Sequence, residues 1–113
     1  MMEADTPAGG RLAQGCHRLA LRVHFEDTDL SGLVYHANYL RFMERARSDL
    51  LRTLGIDQRA AFEAGEGVYA VADLAIRFLL PARLDDALVV ETRALELGAA
   101  TVRLSQAIRH GDR

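Results

Sequence analysis

Among its 113 residues the chain has no tryptophan, no lysine, two prolines and one cysteine. With Cys16 alone there is no internal disulfide and no thiolate metal cluster, and the natural reading is a reducing compartment. No run of 18 apolar residues occurs, so nothing reads as a membrane-spanning helix. The opening "MMEADTPAGGRLAQGC" lacks the apolar stretch of a signal peptide, and cytoplasm is the expected location. A formal net charge of −2 offers no general field for nucleic acid. All 14 basic residues are arginine, which base composition of the coding DNA explains as readily as chemistry.

What is present is the composition of a soluble globular domain, 50% hydrophobic and 27% charged. A chain of this length buries roughly two-thirds of its unfolded surface, enough for one core. The small and polar residues of 1–16 read as a flexible N-terminus, which leaves 17–113 as a single domain.

From His17 the pattern alternates. Leu19, Leu21, Val23 and Phe25 share one face and Arg18, Arg22, His24 and Glu26 the other, the period of a half-buried strand. "DTDLSG" breaks it with turn formers. Tyr39, Leu40, Met43, Ala46, Leu50, Leu51 and Leu54 then recur at spacings of three and four, the stripe of a long amphipathic helix that Gly55 can stop. Arg41, Glu44, Arg45, Arg47, Asp49 and Arg52 read as its solvated face, with Glu44–Arg47 and Arg45–Asp49 at pairing distance along the helix. Asp57 can cap a short helical turn through "QRAAFEAG". Three alternating segments follow, at about 68–80, 87–97 and 100–109. Pro81 ends the first, and "LGAA" joins the other two as a hairpin in which Gly98 is free to take positive φ. One long apolar helix against an antiparallel sheet with one apolar face is an α+β layer.

The chemistry concentrates in "HFEDTDLSGLVYHANYLRFMERAR", His24 to Arg47. Asp27 and Asp29 occupy the turn, Gly32 lets backbone approach a ligand, and His36 and Asn38 stand where the helix starts. The first amides of a helix have no intrahelical partners, so a carbonyl placed before them would have its developing charge stabilised. A carboxylate just upstream would then attack it or deprotonate water. A D-x-D pair in a turn is, however, more often two backbone caps than a dyad. His24, Glu26, Asp27, Asp29 and His36 are potential metal ligands, but no spacing matches a standard zinc or calcium motif, and no metal or other cofactor is expected.

This stretch closely resembles the 4-hydroxybenzoyl-CoA thioesterase family, above all its Tol-Pal-associated, YbgC-like branch: "E-D-T-D", a small-residue turn with glycine, "V-Y-H", then a helix reading "Y-x-x-F-x-E-R-A-R". "PARLDD", Pro81 to Asp86, looks like that branch's strand-connecting loop. The resemblance runs from about Arg18 to Ile108. It implies a hotdog fold, a long helix wrapped by a curved antiparallel sheet, here expected to lack the last strand because the chain stops at Arg113. It implies acyl-CoA as substrate, hydrolysed to free acid and CoA, with Asp29 as catalytic carboxylate, the His36 backbone N–H as carbonyl polariser and the His36 side chain as an assistant. Asp27 is expected to shape the turn. Gly32, Val34, Tyr35, Asn38 and Tyr39 are the substrate-binding positions it suggests, and Arg77 or Arg83 could meet CoA phosphates. A homodimer or homotetramer is implied, and a partner in the cell-envelope machinery or lipid metabolism. The rivals are a hotdog hydratase, a non-catalytic acyl-CoA-binding or scaffold protein, and an inactive fragment.

Overall fold

The computed structural model describes residues 5–65, 71–98 and 101–110. Its strands are β1 (Arg11–Ala13), β2 (Cys16–Arg22), β3 (Ala87–Leu97) and β4 (Val102–His110); its helices are α1 (Asn38–Thr53) and α2 (Gln58–Glu63). The strands form one antiparallel sheet in the order β1-β2-β3-β4.

The N-terminal stretch is more structured than its composition suggests. Gln14 and Gly15 both take positive φ, +54° and +72°, and so turn β1 onto β2 in two residues with Ala13 opposite Cys16. Such loops match the right-handed twist of the strands they join. The dipeptide Gln-Gly is a weaker hairpin signal than Asn-Gly, so β1 is not apparent from sequence, and the expected flexible terminus is corrected from Arg11 onward.

Helix α1 spans the predicted stripe, but its buried line is rotated from it. Asn38, Phe42, Ala46 and Asp49 are buried, whereas Leu40 and Leu54 are exposed. The helix ends as a Schellman motif: Ile56 N–H donates to the Leu51 carbonyl at 2.9 Å, Gly55 N–H to the Arg52 carbonyl at 3.0 Å, and Gly55 has φ +82°. Phe42 and Ala46 pack with Val23, Val34, Ala82, Leu88 and Val90 to form the core, with Leu19, Leu21, Tyr39 and Ile108 against it.

Beneath α1 runs a polar row. His17, Thr92 and Gln106 are register partners across β2, β3 and β4 and therefore share one sheet face. Gln106 Nε2 donates to Thr92 Oγ1 and to the Met43 carbonyl, and Arg47 donates to Gln106 Oε1. His17, fully buried, pairs its Nε2 with Asp49 Oδ2 at 2.7 Å. The same oxygen accepts from Gly10 N–H at 2.8 Å. A Cβ on Gly10 would stand 2.7 Å from Asp49 Oδ2 and 2.9 Å from His17 Nε2, so only glycine allows that approach. Asp49 and Arg47 are thus corrected from a solvated face to a helix–sheet tie, and neither makes its expected partner on the helix.

Two further expectations change. Residues 71–80 are exposed, have no regular secondary structure and pair with no strand among the described residues; 66–70 lie outside the described residues. An alternating pattern suits a strand, but a ladder also needs a neighbour's N–H and C=O groups. Gly98 keeps negative φ, and its N–H closes the β3–β4 turn on the Thr101 carbonyl at 2.7 Å; Ala99 and Ala100 lie outside the described residues.

Candidate active site

Strand pairing ends just past Arg22, and Val23 exchanges backbone hydrogen bonds with Asp85 and Asp86 at 2.9 Å each. The chain then makes a single 3-10 turn, Phe25–Asp27, instead of continuing the strand, which turns Phe25 outward to 80% exposure. Asp27 is buried at the hinge. Its Oδ2 accepts from His24 N–H at 2.8 Å, its Oδ1 from Asn38 Nδ2 at 2.7 Å, and its carbonyl from Tyr35 N–H at 3.0 Å. One acid therefore ties the turn to the first residue of α1, with both of its carboxylate oxygens engaged within the protein.

Asp29 is placed differently. Its carbonyl accepts from Gly32 N–H at 3.1 Å, and Gly32 takes φ +80° to close that tight turn. Its side chain is exposed, and Oδ1 accepts from the Ser31 N–H at 2.8 Å and from the Ser31 hydroxyl. The Ser31 hydroxyl bond first, then the Ser31 amide, hold the Asp29 carboxyl below its ordinary value, and the nearby His36 acts in the same direction. Asp29 is thus a carboxylate with Oδ2 open.

The pocket beside it has a volume of about 240 Å³ and is lined by Glu26, Thr28, Asp29, Tyr35, Ala37, Asn38 and Arg41. Asn38 N–H bonds back to the Tyr35 carbonyl at 2.8 Å and Leu40 N–H to the Ala37 carbonyl at 3.2 Å. Among the described residues nothing accepts from the His36 and Ala37 amides, so the two donors at the entry of α1 are available to a ligand.

Of the candidate residues, Asp29, Tyr35 and Asn38 line this pocket. Gly32 shapes the turn. Val34 is buried in the core and donates its N–H to the Ala82 carbonyl at 2.8 Å, while Tyr39 accepts from Ala82 N–H at 2.9 Å. Val34 and Tyr39 therefore clamp the Pro81–Asp86 loop against the helix start. The His36 ring lies against Tyr35, centroids 4.5 Å apart, and edge-on to Phe78 at 6.2 Å. Arg83 sits in the clamped loop and Arg77 in the exposed segment, neither on this pocket. Sequence reading missed Ser31, Thr28 and Arg41. Ser31 at two residues from Asp29 has the spacing of an Asx turn and was the available signal. Among the described residues no group of three His, Cys, Asp or Glu side chains is arranged to hold a metal ion.

Comparison with known proteins follows this geometry. Residues 31–113 match the family model described as the thioesterase superfamily. The chain is 46% identical over 86 residues to "Acyl-CoA thioesterase YbgC" of Haemophilus influenzae, covering 76% of this chain and 63% of that protein. It is 37% identical over 91 residues to "Acyl-CoA thioester hydrolase YbgC" of Escherichia coli, covering 80% and 67%. A crystal structure of a probable thioesterase from Bartonella henselae superposes with a TM-score of 0.81 at 39% identity, over 86% of this chain and 81% of that one. The fold is the hotdog, and the chain spans roughly two-thirds of the curated relatives' length.

Proposed function

The chain belongs to the thioesterase superfamily, and from that premise we propose that its site hydrolyses acyl-CoA thioesters to the free acid and CoA. The observation that carries this reading is the juxtaposition, in one pocket, of an ionised carboxylate with an open oxygen and the unengaged helix-entry amide of Ala37, with the free His36 amide next to it in the chain.

The thioester carbonyl oxygen lies against the His36 and Ala37 N–H groups, which stabilise the negative charge it gains as the carbonyl carbon becomes tetrahedral. Asp29 Oδ2 either attacks that carbon, forming a mixed anhydride that water then cleaves to the free acid and the restored carboxylate, or takes a proton from a water that attacks the carbon directly. The C–S bond then breaks, the electron pair leaves on the CoA sulfur, and a proton completes the thiol. His36, beside Tyr35, assists the departing thiolate. Asp27 holds the turn and α1 in register. With Phe25 and Leu30 at 80% and 109% exposure beside Tyr35 at 49%, the loop presents apolar side chains to a second copy of the chain, which supports a homodimer or a homotetramer. A cytoplasmic setting and an envelope or lipid-metabolism partner belong to the same reading.

The test is release of CoA thiol from short, long and aromatic acyl-CoAs, comparing the protein with Asp29→Asn. Cys16 is buried and supplies at most one equivalent of thiol. Multiple turnovers lost in a folded Asp29→Asn variant support hydrolysis. A folded wild type that binds acyl-CoA without turning it over overturns it in favour of a binding protein.

A further inference from the structure

A second groove, of about 530 Å³, runs along α1 and meets the Asp29 pocket at Arg41, which lines both. Its volume lies within the ~300–1,000 Å³ typical of small-molecule sites. Arg41, Arg45, Ser48 and Arg52 recur at intervals of four, three and four, so they form one stripe about 16 Å long on the exposed side of the helix. Ala8 and Leu19 supply apolar wall opposite the stripe.

The charges in this groove are not balanced internally. Asp49 lines it but is committed to His17 and Gly10, and it reaches Arg52 at 3.5 Å. Among the described residues no carboxylate lies within 4 Å of the Arg41 or Arg45 guanidinium, and Glu44 is the one uncommitted acid on the lining. Two unpaired guanidiniums four residues apart, in a protein whose formal charge is −2, are a local positive field that the whole chain does not share. Guanidinium is always charged, weakly hydrated, and forked to match two oxygens of one phosphate.

We propose that Arg41 and Arg45 form an anion subsite for phosphate of the CoA moiety, in the groove that continues from the Asp29 pocket along α1. The identity of the carrier rests on the thioesterase reading; the anion specificity of the groove does not. Arg41 stands at the junction of the two pockets, and Arg45 one turn further along α1.

The test uses the full chain and free CoA, which needs no turnover. Titration calorimetry compares CoA with pantetheine, which has the same thiol arm and no phosphate, for wild type, Arg41→Gln and Arg45→Gln. Both side chains are exposed, so the variants are expected to fold as wild type does by circular dichroism. Wild type should bind CoA at least tenfold more tightly than pantetheine, and each substitution should weaken CoA about tenfold while leaving pantetheine unchanged. Binding of CoA that is equal in wild type and both variants, or losses equal for CoA and pantetheine, overturns the proposal. Tight, arginine-dependent CoA binding with no thioester turnover would leave the groove assigned and refute only the hydrolytic reading. Wild type that binds neither CoA nor pantetheine would also overturn it.

Discussion

Replacing Asp49 tests whether the helix is tied to the sheet through one carboxylate oxygen. Oδ2 accepts from both His17 Nε2 and Gly10 N–H, and His17 Nδ1 has no hydrogen-bond partner among the described residues. Asp49→Ala therefore leaves a fully buried imidazole with no hydrogen bond at either nitrogen, together with a part-buried amide without an acceptor. Each such orphaned group costs about 1–3 kcal/mol, and the half-exposed Gly10 amide falls at the low end. The sum is about 3 kcal/mol. Against a total stability of about 5–15 kcal/mol for a domain, this is a large fraction. In urea unfolding followed by circular dichroism, with m near 1–2 kcal/mol/M, the midpoint should fall by roughly 1.5–3 M without a change in m. Asp49→Asn should cost less, about 1 kcal/mol, because its one acceptor oxygen can still serve either Gly10 or His17. A loss below about 1 kcal/mol for Asp49→Ala at unchanged m would refute the tie.

Two pH effects follow from the carboxylates. Ser31→Ala removes the hydroxyl that most lowers the Asp29 carboxyl, while the Ser31 amide remains, so the acid limb of kcat/KM for the proposed hydrolysis should move up toward the ordinary carboxylate value; an unmoved limb would show that another group governs it. Glu91 is held low first by its Arg109 hydrogen bond and then by the Arg109 and Arg18 charges, and Asp86 by the Arg83 amide and His110. Their folded values lie below their unfolded ones, so the stability they contribute is present above the unfolded carboxylate range and is lost as pH falls through the folded values. Melting temperature should thus be flat near neutrality and decline below about pH 5, less steeply in Glu91→Gln; identical slopes would exclude Glu91 from the acid response.

The legible parts were those with a local cause. Alternation at β2, β3 and β4 and the three-four spacing of α1 follow from the geometry of strand and helix, and the Schellman stop at Gly55 and the Asp57 cap of α2 follow from the conformational needs of those residues. Only the resemblance separated Asp27 from Asp29 in advance; in the structure Asp27 meets His24 and Asn38, whereas the Asp29 carboxylate meets only its own turn. Asp49 was misplaced because charge and helical spacing describe a surface equally well until a buried histidine from β2 arrives opposite it. Phe25 was placed inward because alternation cannot announce where a strand gives way to a 3-10 turn.

By itself the sequence determined the two helices and the strands β2, β3 and β4, where the acids and the helix entry fall, and the family in which that constellation occurs. Those properties depend on neighbours within a few residues. Only the tertiary structure decided that α1 turns Phe42 and Asp49 toward the sheet, that Gly10 must lack a side chain, that residues 71–80 find no ladder among the described strands, and that Arg41 joins two pockets. Each of these depends on groups tens of residues apart along the chain, which meet only when the sheet and the helix close on one another.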